Sequence, residues 1–367
     1  MQYPVMPVSM KDKRKPDHQV RFYAPKAVEV PKQGDHSKFA PYRFDQDGRG
    51  MCVGVSLAEQ LAYDAAQQGM IPAGLPLYFS PWWNYNWGRF MRGWLNQDDG
   101  SMPEDVATAI CDHGVMPYTR WPCKRDEFGN IAMDTTDPNT KIADAIKFPN
   151  MVKSRIVDGV DGLLAALASG DVVSIAVPWF AKWQSSYKSG ALPPIADQEI
   201  DGRHCILFDG WDKDKGLFYG PNSWGEWGIQ ESAMGERTTR CGFAMPFEYI
   251  ELFKSKFGGY DAWDIDYDTI SPLPPMQFSL AMKAEPGCYG AGTYAAGSKV
   301  EVYAGKKVGG GDFSRWRPGL NLDNQWAAKT TIMLMDDTVL QAYWLQTQVK
   351  RCRLFDIAKA RNQREGI

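Results

Sequence analysis

Apolar residues along this chain change their spacing several times, and each change marks an element. From Val53 onward they fall at Val53, Leu57, Leu61 and Ala65, with a second row at Ala58 and Ala62. This spacing predicts a helix with one apolar face that opens at Cys52 and stops at Gly69. The turn-forming run Asp47-Gly48-Arg49-Gly50 precedes it. Trp82, Trp83, Trp87 and Trp94 read as the packed side of another helix, with a binding face as the less favoured alternative. A helix over about residues 102 to 113 carries a capping-box spelling, Ser101-x-x-Glu104, and ends at Gly114. Val160, Leu163, Leu164 and Leu167 share one face of a further helix, and a strand follows over 172–177. His204-Cys205-Ile206-Leu207-Phe208 and Leu217-Phe218-Tyr219 read as two antiparallel strands joined by the polar turn at 212–216.

The pattern changes on either side of this region. The first forty or so residues are polar, basic and proline-bearing, and read as an extended leader or docking arm over 1–40. Ser271-Pro-Leu-Pro-Pro275 reads as a boundary between a catalytic region over 41–268 and an accessory module over 269–367. In that module Lys299 to Ala304 alternates like a strand and Gly309-Gly-Gly311 marks a loop. Residues 326–347 give further apolar runs. The basic end, Lys350 to Arg364, reads as a solvated helix face, with binding to nucleic acid or an acidic partner as the less favoured alternative.

Composition narrows the function classes. A chain of 367 residues, 44% hydrophobic, can fill one large core or two smaller ones. A net charge of −3 argues against a chain built to bind nucleic acid. No apolar run reaches the roughly 18 residues of a membrane span, and the N-terminus lacks a signal-peptide core. An intracellular or virion-associated location is expected. The seven cysteines are scattered, at 52, 111, 123, 205, 241, 288 and 352, which fits neither a secreted disulfide framework nor a zinc site. Only Cys111 and Cys123 are close enough to suggest a bridge, and the pattern does not favour it. Gly292 to Lys299 imitates a phosphate loop but carries its Ser and Lys in reversed order. Asp212-Lys-Asp214 lacks the rest of a calcium loop. No metal and no cofactor are expected.

The candidate chemistry lies near residue 50 and after residue 204. A lone Cys at a helix start is usually a small buried hydrophobe. Here Gln46, Cys52, His204 and Asn222-Ser223-Trp224-Gly225 occur in an order that supplies a nucleophile and everything needed to serve it. A free thiol ionises near pH ~8.5, and a helix N-terminus or a neighbouring imidazolium lowers that value. Backbone N–H groups at a helix start also favour a developing oxyanion. His204 can act as base, an Asn222 amide oxygen can fix its tautomer, and Trp224 can keep water from that bond. His18 and His36 lie in the polar leader, and His113 ends a helix where a cation suits the dipole.

These motifs resemble the papain-like (C1-type) cysteine peptidases. In that family the nucleophile follows a Gln-Gly-x-Cys-Gly-Ser-Cys-Trp type sequence, and an Asn-Ser-Trp-Gly motif follows the base. The resemblance implies Cys52 as nucleophile, His204 as base, Asn222 as the residue that orients it, and Gln46 as the oxyanion-hole amide. His204 follows Cys52 by about 150 residues, at the edge of the family's range of about 130–150. Phe79-Ser80-Pro81, Asp98 to Ser101, Gly114 to Tyr118, Trp121-Pro122 and Gly170 to Val177 also match, so the likeness runs over roughly residues 40 to 250. It implies an α+β, papain-like two-lobe fold, with a helical lobe, an antiparallel β lobe and an extra C-terminal β-rich module. The cleft should lie where Cys52 meets His204.

Arg49 stands where secreted members carry a disulfide cysteine, so that bridge cannot form. Asp47, Met51 and Val53 also depart from the usual residues, in a pattern closer to bacterial and viral members. The resemblance implies hydrolysis of a peptide or protein substrate. Two alternatives are a cell-wall peptide hydrolase or amidase carried by a phage virion, and a docking protein that retains the papain-like body. The leader and C-terminal module would be the means of joining a larger assembly.

Overall fold

In the computed structural model, residues 21–22, 29–42, 44–126, 130–195, 199–225, 227–228, 242–269, 272–283, 287–305, 312–316, 322–334 and 338–344 are described. The chain divides into two units, Met1–Met276 and Gln277–Ile367. The first unit opens with the short strands β1 (Arg21–Phe22) and β2 (Gln33–Asp35). Three helices follow, α1 (Cys52–Gln67), α2 (Pro81–Arg92) and α3 (Pro103–His113).

Helix α1 starts and stops where the apolar spacing predicts. Gly69 sits in the left-handed region at φ 70°, and the Met70 N–H closes back on the Ala65 carbonyl at 2.8 Å. The single apolar face does not survive, because Ser56, Glu59 and Gln60 are buried as well. Burial of such groups requires partners, and the adjoining strands supply them. Ser56 Oγ donates to the Ile206 carbonyl at 2.9 Å and accepts from Ser174 Oγ at 2.7 Å. Gln60 Nε2 donates to the Val172 carbonyl at 2.7 Å. The helix that begins at the candidate nucleophile is therefore a central strut rather than a surface helix.

Ser80 caps α2 by accepting from the Trp83 N–H at 3.2 Å, with Pro81 in the first turn. Trp82, Trp83 and Trp87 are buried, as the core reading expects, while Trp94 lies beyond the helix end. A Cβ on Gly54 would meet the Pro81 carbonyl oxygen at 2.6 Å, so α1 and α2 approach backbone to backbone there. The capping box expected at α3 does not form. Met102 is the N-cap, no side chain caps the helix, and Ser101 Oγ makes no hydrogen bond among the described residues. Pro103 explains the shift, since the residue before a proline is driven out of helical conformation. Met102 is extended, at φ −89° and ψ 134°.

The rest of the first unit comprises β3 (Val152–Ile156), α4 (Gly159–Ala168), β4 (Val173–Phe180), β5 (Ile200–Phe208), β6 (Gly210–Asp212), β7 (Leu217–Pro221), β8 (Gly242–Pro246), α5 (Phe247–Lys256) and β9 (Asp261–Asp266). One sheet has the order β1-β3-β9-β4-β5 and another the order β2-β6-β7-β8. Strand β4 is buried at every residue, and each such large apolar side chain contributes about 1.5–3 kcal/mol. It pairs antiparallel with β5, placing Val177 opposite His204.

The hairpin expected between residues 204–208 and 217–219 is corrected. The polar turn joins β6 to β7, while β5 belongs to the other sheet. The chain changes sheet at Asp209, which is buried and accepts from Tyr63 Oη at 2.6 Å. Strand β7 still passes close to β5. A Cβ on Gly220 would lie 1.6 Å from the Leu207 carbonyl oxygen. Only a glycine permits that approach, and it brings the end of β7 over β5.

The second unit is β-rich, as expected. It contains β10 (Gln277–Lys283), β11 (Gly292–Ala295), β12 (Lys299–Tyr303), β13 (Phe313–Trp316), β14 (Lys329–Met333) and β15 (Thr338–Trp344). The orders are β11-β10-β15-β13 and β12-β14. On β12, Val300 and Val302 are buried and Lys299 and Glu301 exposed, as the alternation predicts. Leu280, Val302, Trp316, Ile332 and Leu340 share its core. The stretch that imitates a phosphate loop holds a strand and a turn, not a helix start. The Gly309–Gly311 loop, the basic end after 344 and most of the leader lie outside the described residues. No helix among the described residues is long and apolar enough to cross a membrane.

Candidate active site

Cys52 opens α1, and the backbone N–H groups of Cys205, Val53 and Cys52 itself favour its thiolate form. The first of these lies next to His204 on β5. The His204 ring is oriented from the end of β7, where His204 Nε2 and Asn222 Oδ1 are 2.8 Å apart. Asn222 Oδ1 also accepts from the Ser223 backbone N–H at 2.8 Å. A backbone N–H can only donate, so that contact identifies the amide oxygen. It follows that His204 Nε2 carries the proton and Nδ1 the free lone pair. Nδ1 is buried and makes no hydrogen bond among the described residues. Trp224 stacks on the imidazole, with ring centroids 4.4 Å apart, and Trp179 meets it edge-on at 4.8 Å.

Gln46 reaches the same region from the loop before α1. Its backbone N–H donates to the Ser223 carbonyl at 2.9 Å, and Ser223 Oγ donates to its Oε1. Its Nε2 donates to the Arg49 carbonyl at 2.6 Å. An amide carries a second N–H, so one donor remains for another acceptor. The loop is pinned where the family's disulfide is missing. Arg49 Nε donates to the Ile131 carbonyl at 2.7 Å, and Arg49 Nη1 pairs with Asp98 Oδ2 at 3.2 Å. Asp98 Oδ1 accepts from the Gly50 N–H at 3.0 Å and from Tyr85 Oη at 2.8 Å. Asp47, at a left-handed φ of 50°, accepts from the Ile131 N–H at 2.9 Å and from Arg125. Cys111 is a free thiol, so the Cys111–Cys123 bridge is not formed.

Burial sets the protonation states. Cys52, His204, Gln46 and Asn222 are each at most 1% exposed. Desolvation pushes the Cys52 thiol up to about 11 against the opposing pull of those three N–H groups. It pushes His204 down to about 4, against the opposing pull of Asn222. The lowered thiol pKa expected from the helix start is therefore overridden by burial. The resting pair is a neutral thiol and a neutral imidazole.

A stability prediction follows. His204 in the unfolded chain binds its proton near 6.5, well above its folded value. Its contribution is fully present above pH 6.5 and is lost as pH falls toward 4, by about 3 kcal/mol in all. Urea unfolding of wild type and His204→Gln should give a stability difference that shifts by that amount between pH 7 and pH 4. A difference independent of pH would refute the assignment.

The structure brings all four sequence-predicted residues into one buried region. Sequence reasoning missed the Ser223 contact with Gln46, the Trp179 contact with His204 and the Arg49–Asp98 pin. Ser223 was visible inside Asn-Ser-Trp-Gly, but nothing local indicates that its hydroxyl meets a glutamine on the opposite side of the site.

No family model matches this chain, and no curated protein does. Solved structures do match. Xylellain, a cysteine protease from Xylella fastidiosa, superposes with a TM-score of 0.55 at 22% identity, over 72% of this chain and 96% of that one. A digestive procathepsin L 3 of the Tenebrio molitor larval midgut gives 0.50 at 17% identity, over 67% and 73%. The fold is thus the papain-like α+β fold, and the β-rich C-terminal unit is additional to it.

Proposed function

We propose that this chain is a cysteine-type peptidase with Cys52 as nucleophile. The observation that carries the reading is the state of His204. Its Nε2–H is held by Asn222, while its unprotonated Nδ1 is left for a proton donor, and the next N–H along its strand, that of Cys205, favours the Cys52 thiolate. The Asp45-Gln46 loop, spelled without a cysteine at 49, further suggests kinship with bacterial and viral members.

The steps follow from the residues. The Cys52 thiol gives its proton to His204 Nδ1 as the sulfur attacks a peptide carbonyl carbon. The carbonyl oxygen becomes an oxyanion and accepts from the Cys52 backbone N–H and Gln46 Nε2. His204 then gives its proton to the departing amine, leaving a thioester on Cys52. Water, deprotonated by His204, attacks the thioester, and the carboxylic acid leaves as the thiol is restored. The buried thiol must be uncovered for substrate to reach it.

A thiol-directed epoxide inhibitor followed by peptide mass spectrometry tests the reading. Cys52 should be alkylated, and casein should be cleaved while peptidoglycan is not. Cleavage of peptidoglycan alone would move the substrate to cell-wall peptides. Cys52 left unlabelled in protein that cleaves neither would favour a docking protein.

A further inference from the structure

Three carboxylates converge behind α1, at its far end from Cys52. The side chains of Asp171, Asp264 and Asp266 place their oxygens within 4.8 Å of one another. Asp171 precedes β4, and the other two lie on the same face of β9. Asp264 is only 2% exposed, Asp171 is half-buried and Asp266 is exposed, so the cluster has a floor and an open mouth. Asp64, in the last turn of α1, lies on the same side.

A second observation concerns the amide beside the cluster. Gln60 lies one turn before Asp64, and its Nε2 donates to Asp264 Oδ1 at 3.2 Å and to the Val172 carbonyl at 2.7 Å. These acceptors fix the orientation of its amide, because the flipped form would set oxygen against oxygen. Gln60 Oε1 is nevertheless buried with no hydrogen bond among the described residues, and so is Asp264 Oδ2. Two buried acceptors left over beside clustered carboxylates require a donor or a cation.

We propose that Asp171, Asp264 and Asp266 bind one calcium ion, with Gln60 Oε1 completing the inner side. An all-oxygen donor set suits a hard cation rather than zinc or copper. Oxygens that share one calcium ion, each at about 2.4 Å from it, lie no more than about 4.8 Å apart, so the spacing permits a common ion. The carbonyl end of α1 adds partial negative charge on the same side. The ion would tie the helix that begins at Cys52 to the two strands behind it, β4 and β9. This revises the sequence expectation of no metal, which rested on motif spacing, and it does not depend on peptidase activity.

Calorimetry and thermal unfolding of the full chain test the site. The protein is stripped with EDTA, desalted and kept reduced with a phosphine. Calcium chloride should bind one to one and raise Tm by about 5 °C at about a hundredfold excess over Kd. Asp264→Asn and Asp266→Asn should each weaken calcium binding roughly tenfold or more. Asp266 is exposed, so its variant remains informative if the buried one does not fold. Folded wild type that shows neither heat nor a Tm shift would overturn the site and assign the cluster to protons shared between carboxyls. An equal response in both variants would also overturn it. Magnesium should give a smaller response, and an equal one would overturn the choice of calcium.

Discussion

If Cys52 and His204 form one catalytic unit, Cys52→Ala and His204→Ala should each lower kcat by about 10⁶, and the double variant should be no worse than either alone. Groups that act as one catalytic unit behave this way, because removing either leaves the other without work to do. The geometry supplies the reason. His204 Nδ1 makes no hydrogen bond among the described residues, and Asn222 and Trp224 hold the ring that carries it. Any substrate that wild type cleaves will serve for the measurement. Single-variant losses that multiply in the double variant would show that the residues act independently, and the pairing would be wrong. Asn222→Ala should be milder than either, because Trp224 and Trp179 still flank the imidazole.

Gln46→Ala should lower kcat by about 10²–10³, the usual loss for one oxyanion donor. KM should change less, because the oxyanion exists mainly along the reaction path. The structure adds a stability cost that the sequence does not suggest. Gln46 is fully buried and donates to the Arg49 carbonyl, so truncation also strips that carbonyl of a partner. The penalty should be about 1–3 kcal/mol by urea unfolding. Ser223→Ala separates the two effects. It removes the hydroxyl bond to Gln46 Oε1 and leaves the amide donor in place. Its kcat should fall by less than about tenfold, well short of the loss of an oxyanion donor. If Ser223→Ala matches Gln46→Ala, the loss reflects loop geometry and Gln46 is not a donor to the oxyanion.

The sequence alone determined what depends on near neighbours along the chain. The spacing from Val53 to Ala65 marks α1, and Gly69 ends it because only a residue tolerant of positive φ closes the last turn. The alternation at Lys299 to Tyr303 marks β12 by the same kind of local rule. The order Gln46, Cys52, His204, Asn222 was readable too, since side-chain chemistry is carried by residue type.

Tertiary structure decided what depends on distant groups. Asp209 moved the chain from one sheet to the other because its partner, Tyr63, lies on α1. The polar side of α1 became interior because Ser174, Ile206 and Val172 were there to satisfy it. The protonation states of Cys52 and His204 were set by desolvation, which no spacing along the chain reports. Asp64, Asp171, Asp264 and Asp266 form no motif in sequence and gather only when α1, β4 and β9 pack. Local spacing fixes which backbone conformations a segment can adopt, while hydrogen-bond satisfaction and charge energies depend on which segments then share one dry interior.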